Sequence, residues 1–245
     1  MIIGRDFDKL EFNWLGLELL EPNALLSDSI IAVSGIVLGF FVSKQNKTLT
    51  SPFFIYWKYV FFLYGVGFFL GGVGHVFYNY FGLFGKYIPL LVGLSMPVLI
   101  EHAMISLLPK QEQATFFFLS KAKVIVTAFV LTLIFFLASD ENVLPMMLLV
   151  PSINSFVGFV FSCGFLGWKF GKTIAPSFYI LPVTILVLVP AGFVQIYKVS
   201  FHPWFDRNDF GHLLIIVSLF MYYFSVRGYR RFLKNKSISQ LKTSA

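Results

Sequence analysis

Apolar residues run in long blocks along this chain, with the polar residues confined to short joints between them. Seven blocks of about 20 or more residues, the length that crosses the hydrocarbon core of a bilayer, follow one another between Ala24 and Val226. The pattern predicts helices at about Ala24 to Ser43, Pro52 to Tyr80, Tyr87 to Leu108, Thr115 to Ser139, Val143 to Leu166, Ala175 to Val199 and Asp206 to Val226. The expected fold class is therefore all-α, a polytopic membrane protein of seven transmembrane helices. Pro145, Pro151, Pro182 and Pro190 fall inside spans, so kinks are expected in the fifth and sixth helices.

Ahead of the first span, Phe7, Leu10, Trp14 and Leu17 recur at helical spacing with acidic residues between them. This spacing predicts a short amphipathic helix lying in the interface. The organisation expected is thus an interfacial segment over 1–23, a seven-helix domain over 24–226 and a basic tail over 227–245. The opening MIIGRDFDKLEF lacks the basic, apolar and small-residue succession of a signal peptide, so the N-terminus is expected to be retained.

Composition agrees with the blocks. Of the 245 residues, 57% are hydrophobic and 13% charged, against about 25% charged in a soluble domain. An ordinary soluble globular domain is excluded, and the spans leave no room for a soluble catalytic one. Fourteen of the 19 Lys and Arg residues fall on the side of the C-terminus, which orients the N-terminus outside and the C-terminus in the cytoplasm. The net charge of +7 is then a topology signal, and the tail RGYRRFLKNK reads as an anchor on anionic lipid, not a nucleic-acid arm. A multi-pass protein of the plasma membrane or a bacterial inner membrane is expected. Cys163 stands alone in an apolar stretch, which removes disulfides and cysteine metal sites and leaves a packing role.

Ionisable groups inside spans are functional candidates by default. His75 lies about five residues, roughly 8 Å, below the outer end of the second helix; His212 lies about six, near 9 Å, below that of the seventh; Asp28 lies about four into the first. Three groups on three helices share one depth. Beside His212 come His202, Asp206, Asn208 and Asp209. Asn208 and His212 share a face at i and i+4, and Asp209 nearly does at i and i+3. With His75 opposite, such a set offers three N/O ligands to zinc and leaves a fourth position for water, whose pKa the ion would lower to about 7. The expected metal ligands are therefore His75 and His212 together with Asp209 or Asn208, and the expected catalytic residues Asp28, His75, Asp209 and His212. Structural roles stand beside these: Asp206 or Asn208 as a helix N-cap, Asp209 in the positive first turn, Asp28 with Ser27 as a cap of helix one. Glu101 and His102 sit deeper, near the level of Lys58 and Lys123, where an ion pair tying the bundle together is expected.

FFLGGVGHVFYNYFG and NDFGHLLIIVSLFMYY resemble the second- and seventh-helix motifs of the CREST superfamily, seven-helix membrane proteins that include the alkaline ceramidases and the progestin and adipoQ receptors. His75 takes the position of the second-helix histidine and His212 that of the second histidine of the seventh. Gly71 stands where the family has serine, Asn208 where it has the other histidine, and Lys86 near the place of a later aspartate. The region of Trp14, Glu18, Glu21 and Asp28 is loosely similar to the acidic segment that enters helix one in ceramidases. The resemblance implies a zinc-dependent hydrolysis of a lipid amide, with the substrate entering between helices. The departures leave open a non-catalytic binding, sensing or structural protein on the same fold, and Glu101 with His102 leave open a small-molecule or proton transporter. A retinal protein needs a lysine within the seventh helix, and Gly211 to Val226 contains none. Neither an Asp-Arg-Tyr at the end of helix three nor an Asn-Pro-x-x-Tyr in helix seven is present to mark a G-protein-coupled receptor.

Overall fold

The computed structural model describes residues 7–46, 51–138 and 140–243. Asp6, Lys47 and the expected end of the fourth span at Ser139 lie outside the described residues. Seven helices long and apolar enough to cross a membrane make up nearly all of it, as the hydrophobic blocks predict. They are α1 (Pro22–Asn46), α2 (Pro52–Val76), α3 (Phe84–Ile105), α4 (Lys110–Leu137), α5 (Asp140–Phe159), α6 (Ile180–Ile196) and α7 (Arg207–Thr243). The chain is an integral, multi-pass membrane protein, and seven spans put its two ends on opposite faces.

Several boundaries move for identifiable reasons. The second helix ends at Val76, before a one-turn helix at Tyr78–Phe81 that stops at Gly82, whose φ of 51° breaks helical geometry. Pro182 falls in the first turn of α6, where no intrahelical N–H is needed. The fifth span departs from α geometry below its prolines: α5 passes into a π-helix at Val160–Leu166 and then back to an α-helix at Gly167–Thr173. The basic tail is a continuation of α7, which runs on to Thr243.

The expected interfacial helix before α1 is instead a β-hairpin. Strands β1 (Glu11–Trp14) and β2 (Leu17–Leu20) pair antiparallel with Trp14 opposite Leu17. Leu15 and Gly16 both take positive φ, 52° and 80°, the requirement of a tight two-residue hairpin turn that matches the strand twist. The hairpin docks where the backbone N–H of Glu18 donates to the Tyr80 hydroxyl, 3.0 Å away.

Lipid tails are as apolar as leucine, so close packing and polar ties hold such a bundle together. At the crossing of α1 and α2, a Cβ on Gly35 would lie 2.7 Å from Gly65 N. At that of α2 and α3, a Cβ on Gly74 would lie 2.0 Å from the Gly85 carbonyl oxygen, so only glycine lets these backbones meet. In α4, Leu131 and Ser120 are the buried residues. Its tie to the bundle is polar: Glu101 of α3 accepts from Lys123 Nζ and Ser120 Oγ, and Lys123 also donates to the Asn154 carbonyl at 3.1 Å. Gly158 lies against this pair, with no space for a side chain. Lys58 instead sits over the Tyr59 ring.

The half of the bundle toward the C-terminus is solid. Phe53, Trp57, Phe61, Phe178 and Tyr222 are fully buried there, ring against ring. The half toward the N-terminus is hollow.

Candidate functional site

The hollow is a cavity of about 540 Å³, within the range of small-molecule sites. Tyr64 and Ser218 line its floor, and Asp28, His75, Lys86 and His212 line its polar end. Along α2 it extends from Tyr64 to His75, eleven residues or roughly 16 Å. The shared depth of Asp28, His75 and His212 thus corresponds to a shared space.

Each histidine is held by its Nδ1 edge. Glu21, at the end of the hairpin, accepts from His75 Nδ1–H at 2.7 Å and from Lys9 Nζ at 3.0 Å. Burial would raise the Glu21 carboxyl, but the hydrogen bond and charge of His75, with Lys9 behind them, outweigh it and hold it at about 2. A carboxylate only accepts, so His75 Nδ1 carries a proton. His212 Nδ1 lies 2.8 Å from Ser27 Oγ, whose own proton goes to Asp209 Oδ1 at 2.9 Å. Ser27 therefore accepts from His212 Nδ1–H. His212 Nε2 is left 3.4 Å from Asp28 Oδ1.

Asp28 is 2% exposed. It lies in the second turn of α1, too far in to cap it, and its Oδ2 has no hydrogen-bond partner. A Cβ on Gly71 would sit 3.5 Å from that oxygen, so the glycine leaves Asp28 open to the cavity. Lys86 Nζ and Ser218 Oγ are likewise buried without a hydrogen-bond partner. Three orphaned polar atoms thus belong to residues lining one cavity.

The other expected ligands are directed elsewhere. Asp209 caps structure: its Oδ2 accepts from Asn23 Nδ2 at 2.7 Å and from the Asp206 backbone N–H at 3.1 Å. Asp206 Oδ1 in return accepts the N–H groups of Asn208 and Asp209, a reciprocal box that closes the start of α7. Burial raises the Asp206 carboxyl above its ordinary value despite those two bonds. Asn208 Oδ1 accepts from Gln195 Nε2 at 3.0 Å. His202 is exposed and accepts from the Trp204 N–H within its own turn. Among the described residues no group of three or more His, Cys, Asp or Glu side chains is placed to hold a metal ion. The structure does not bring the expected zinc set of His75, Asn208, Asp209 and His212 together: Asn208 bonds Gln195 and Asp209 bonds Asn23 and Ser27, and Lys86 lines the cavity with the two histidines. Those residues do not fit zinc, whose sites take three or four converging ligands.

Sequence reasoning passed over Glu21 and Lys86 as site residues. Lys86 carried a signal, a cation in the outer end of a span beside the level of His75. Glu21 entered only as one residue of the acidic segment ahead of helix one, because its place against His75 depends on the hairpin.

The cavity has two mouths. A vestibule of about 260 Å³ beside the hairpin shares His75, Lys86 and Leu148 with it and is lined by Lys9, Glu21 and Asp206 among others. On the other side α6 packs on the π-helix while α5 and α6 diverge above it. The gap continues as a groove of about 320 Å³ that shares Phe156, Phe159 and Leu188 with the cavity and ends against Phe193 and Ile196. Phe156, Phe193 and Ile196 are exposed on the lipid-facing surface.

No curated protein and no solved structure matches the chain. A family profile covers residues 24–231, from the second residue after the start of α1 to residue 231 within α7, and by that match the chain belongs to DUF6962, a family of unknown function.

Proposed function

We propose that this protein binds a membrane lipid in the cavity of its N-terminal half and does not hydrolyse it. The observation that carries the reading is the coincidence of Asp28 Oδ2, Lys86 Nζ and Ser218 Oγ, buried and without partners, on residues lining a cavity whose apolar side opens between two helices. Buried polar atoms are almost always satisfied, and a lipid polar group at the polar end of the cavity satisfies Asp28 and Lys86, with Ser218 left to a polar group deeper along the same molecule. Lys86 asks for an acceptor, best an anionic one; Asp28 asks for a donor. A zwitterionic or hydroxylated head fits both, and the groove between α5 and α6 takes the chain. The non-catalytic part rests on the ligand set: neither Asn208 nor Asp209 joins the histidines, and Lys86 brings positive charge where a dication would sit.

Lipid extracted from full-length protein purified in mild detergent, quantified by mass spectrometry, tests this. About one amphiphile per chain is expected. Lys86→Gln lowers its retention by about tenfold or more, the loss of one charge-assisted hydrogen bond, and Ser155→Trp, which fills the cavity wall, lowers it too. No retained lipid, or retention unchanged in both variants, refutes binding at this site. Hydrolysis of an added lipid amide that disappears in His75→Ala refutes the non-catalytic part.

A further inference from the structure

A second groove, of about 570 Å³, lies at the opposite end of α1 and α7. Arg227, Arg230, Arg231 and Lys234 line it from α7. Their spacing of i, i+3, i+4 and i+7 places all four cations on one helix face. No carboxylate lines the groove, and among the described residues none of the four is ion-paired. One helical turn deeper the walls become apolar: Phe41 of α1 and Phe220 and Phe224 of α7 are exposed and turned toward the groove. The change falls at Val226 and Arg227, where the apolar block of α7 ends, which is the level of lipid head groups.

We infer that this groove holds one anionic phospholipid, its phosphate on the guanidinium groups of Arg227, Arg230 and Arg231 and its acyl chains against the three phenylalanines. Guanidinium forks match phosphate oxygens two at a time. A helix face with four cations and no counter-charge has no internal solution to its own repulsion, so a ligand anion supplies one. This goes beyond a diffuse attraction of a basic tail to a charged surface, because α7 stays helical through the cluster and α1 closes the other side. The groove lies fifteen residues, roughly 22 Å, along α7 from His212, so it is independent of the cavity at the other face.

Native mass spectrometry of the full-length protein, with dioleoyl phosphatidylglycerol and dioleoyl phosphatidylcholine supplied at equal concentration, tests the site. One phosphatidylglycerol is retained in preference, and Arg227→Gln with Arg230→Gln lowers that retention by roughly thirtyfold at low salt, from about fivefold per basic residue. Phe220→Ala with Phe224→Ala keeps every charge and still weakens it. If the arginine pair fails to fold, the exposed Arg231→Gln with Lys234→Gln is read in its place. Equal retention of the two lipids overturns the inference, as does an unchanged arginine variant. An equal loss in Lys169→Gln with Lys172→Gln, basic residues of the same face outside the groove, means diffuse attraction and overturns it. Full displacement by excess inorganic phosphate assigns the cluster to a free anion and overturns it as well.

Discussion

Replacing Asp209 by alanine separates a structural carboxylate from a catalytic one. Its side chain accepts from Asn23 Nδ2, Ser27 Oγ and the Asp206 N–H at 2.7, 2.9 and 3.1 Å, while Asp209 is 4% exposed. Hydrogen bonds to a charged group contribute about 1.5–3 kcal/mol each. Asp206 and Asn23 both line the vestibule, where water replaces their bonds to Asp209, and Ser27 Oγ keeps the Ala24 carbonyl, 3.2 Å away, as an acceptor, so no donor is left unsatisfied and the loss is the net value of about one charge-assisted bond. The expected loss is about 2 kcal/mol. In a chain of this size each kcal/mol moves the melting temperature by roughly 2–4 °C, so Asp209→Ala should melt about 6 °C lower, with Asp209→Asn in between because it keeps one acceptor. Thermal unfolding in detergent, followed by intrinsic fluorescence of the four tryptophans, measures this. A melting temperature within about 2 °C of wild type refutes the assignment. So does an Asp209→Asn protein that melts normally and has lost its cavity lipid, for then the carboxylate acts in the cavity.

Glu21 sets a pH dependence. Its folded carboxyl stands near 2, below the ordinary 4.5, so the stability that it contributes is complete above about pH 4.5 and is lost as pH falls toward 2, an amount of about 3 kcal/mol. Protection of Glu11–Leu20 against hydrogen exchange, taken relative to the intrinsic amide rate at each pH, should fall in that window, and Glu21→Gln should abolish the pH dependence; a hairpin equally protected at both ends contradicts it. Gly74→Ala pushes a methyl into the Gly85 carbonyl and should lower the folded yield and melting temperature by the equivalent of several kcal/mol, as overpacking does at its upper end, whereas Gly93→Ala, with open space around it, should not. Equal behaviour of the two alanine variants would place the α2 and α3 backbones farther apart than described.

Hydropathy made the seven spans legible because a bilayer imposes one length and one polarity on whatever crosses it. Depth was legible too, since helical rise converts sequence distance into position along the membrane normal; that is why Asp28, His75 and His212 were found on one level. Direction around each helix was not. Asn208 and Asp209 lie within one turn of His212, yet one faces Gln195 and the other Asn23 and Ser27, and only the packing of α1 and α6 on α7 decides that. The N-terminal hairpin escaped because Phe7, Leu10, Trp14 and Leu17 fit a helical stripe, while the deciding signal, left-handed backbone at Leu15 and Gly16, rests on a leucine that gives no warning of it. The π-helix at Val160–Leu166 has no sequence signature of its own.

The solid half of the bundle bears on permeation. A solute that reaches Tyr64 and Ser218 has covered the hollow half of the bundle, and twelve residues of α2, roughly 18 Å, still separate it from the far face. Trp57, Phe61 and Tyr222 fill that distance with no exposed surface, and the Trp57 and Tyr222 rings are 5.4 Å apart. Among the described residues no conduit crosses this half. Alternating access would have to dismantle this aromatic plug, whereas exchange with the adjacent leaflet needs only the existing gap between α5 and α6. On the lipid-binding reading proposed above, the fold is a one-sided receptacle, loaded and emptied from the same half of the membrane.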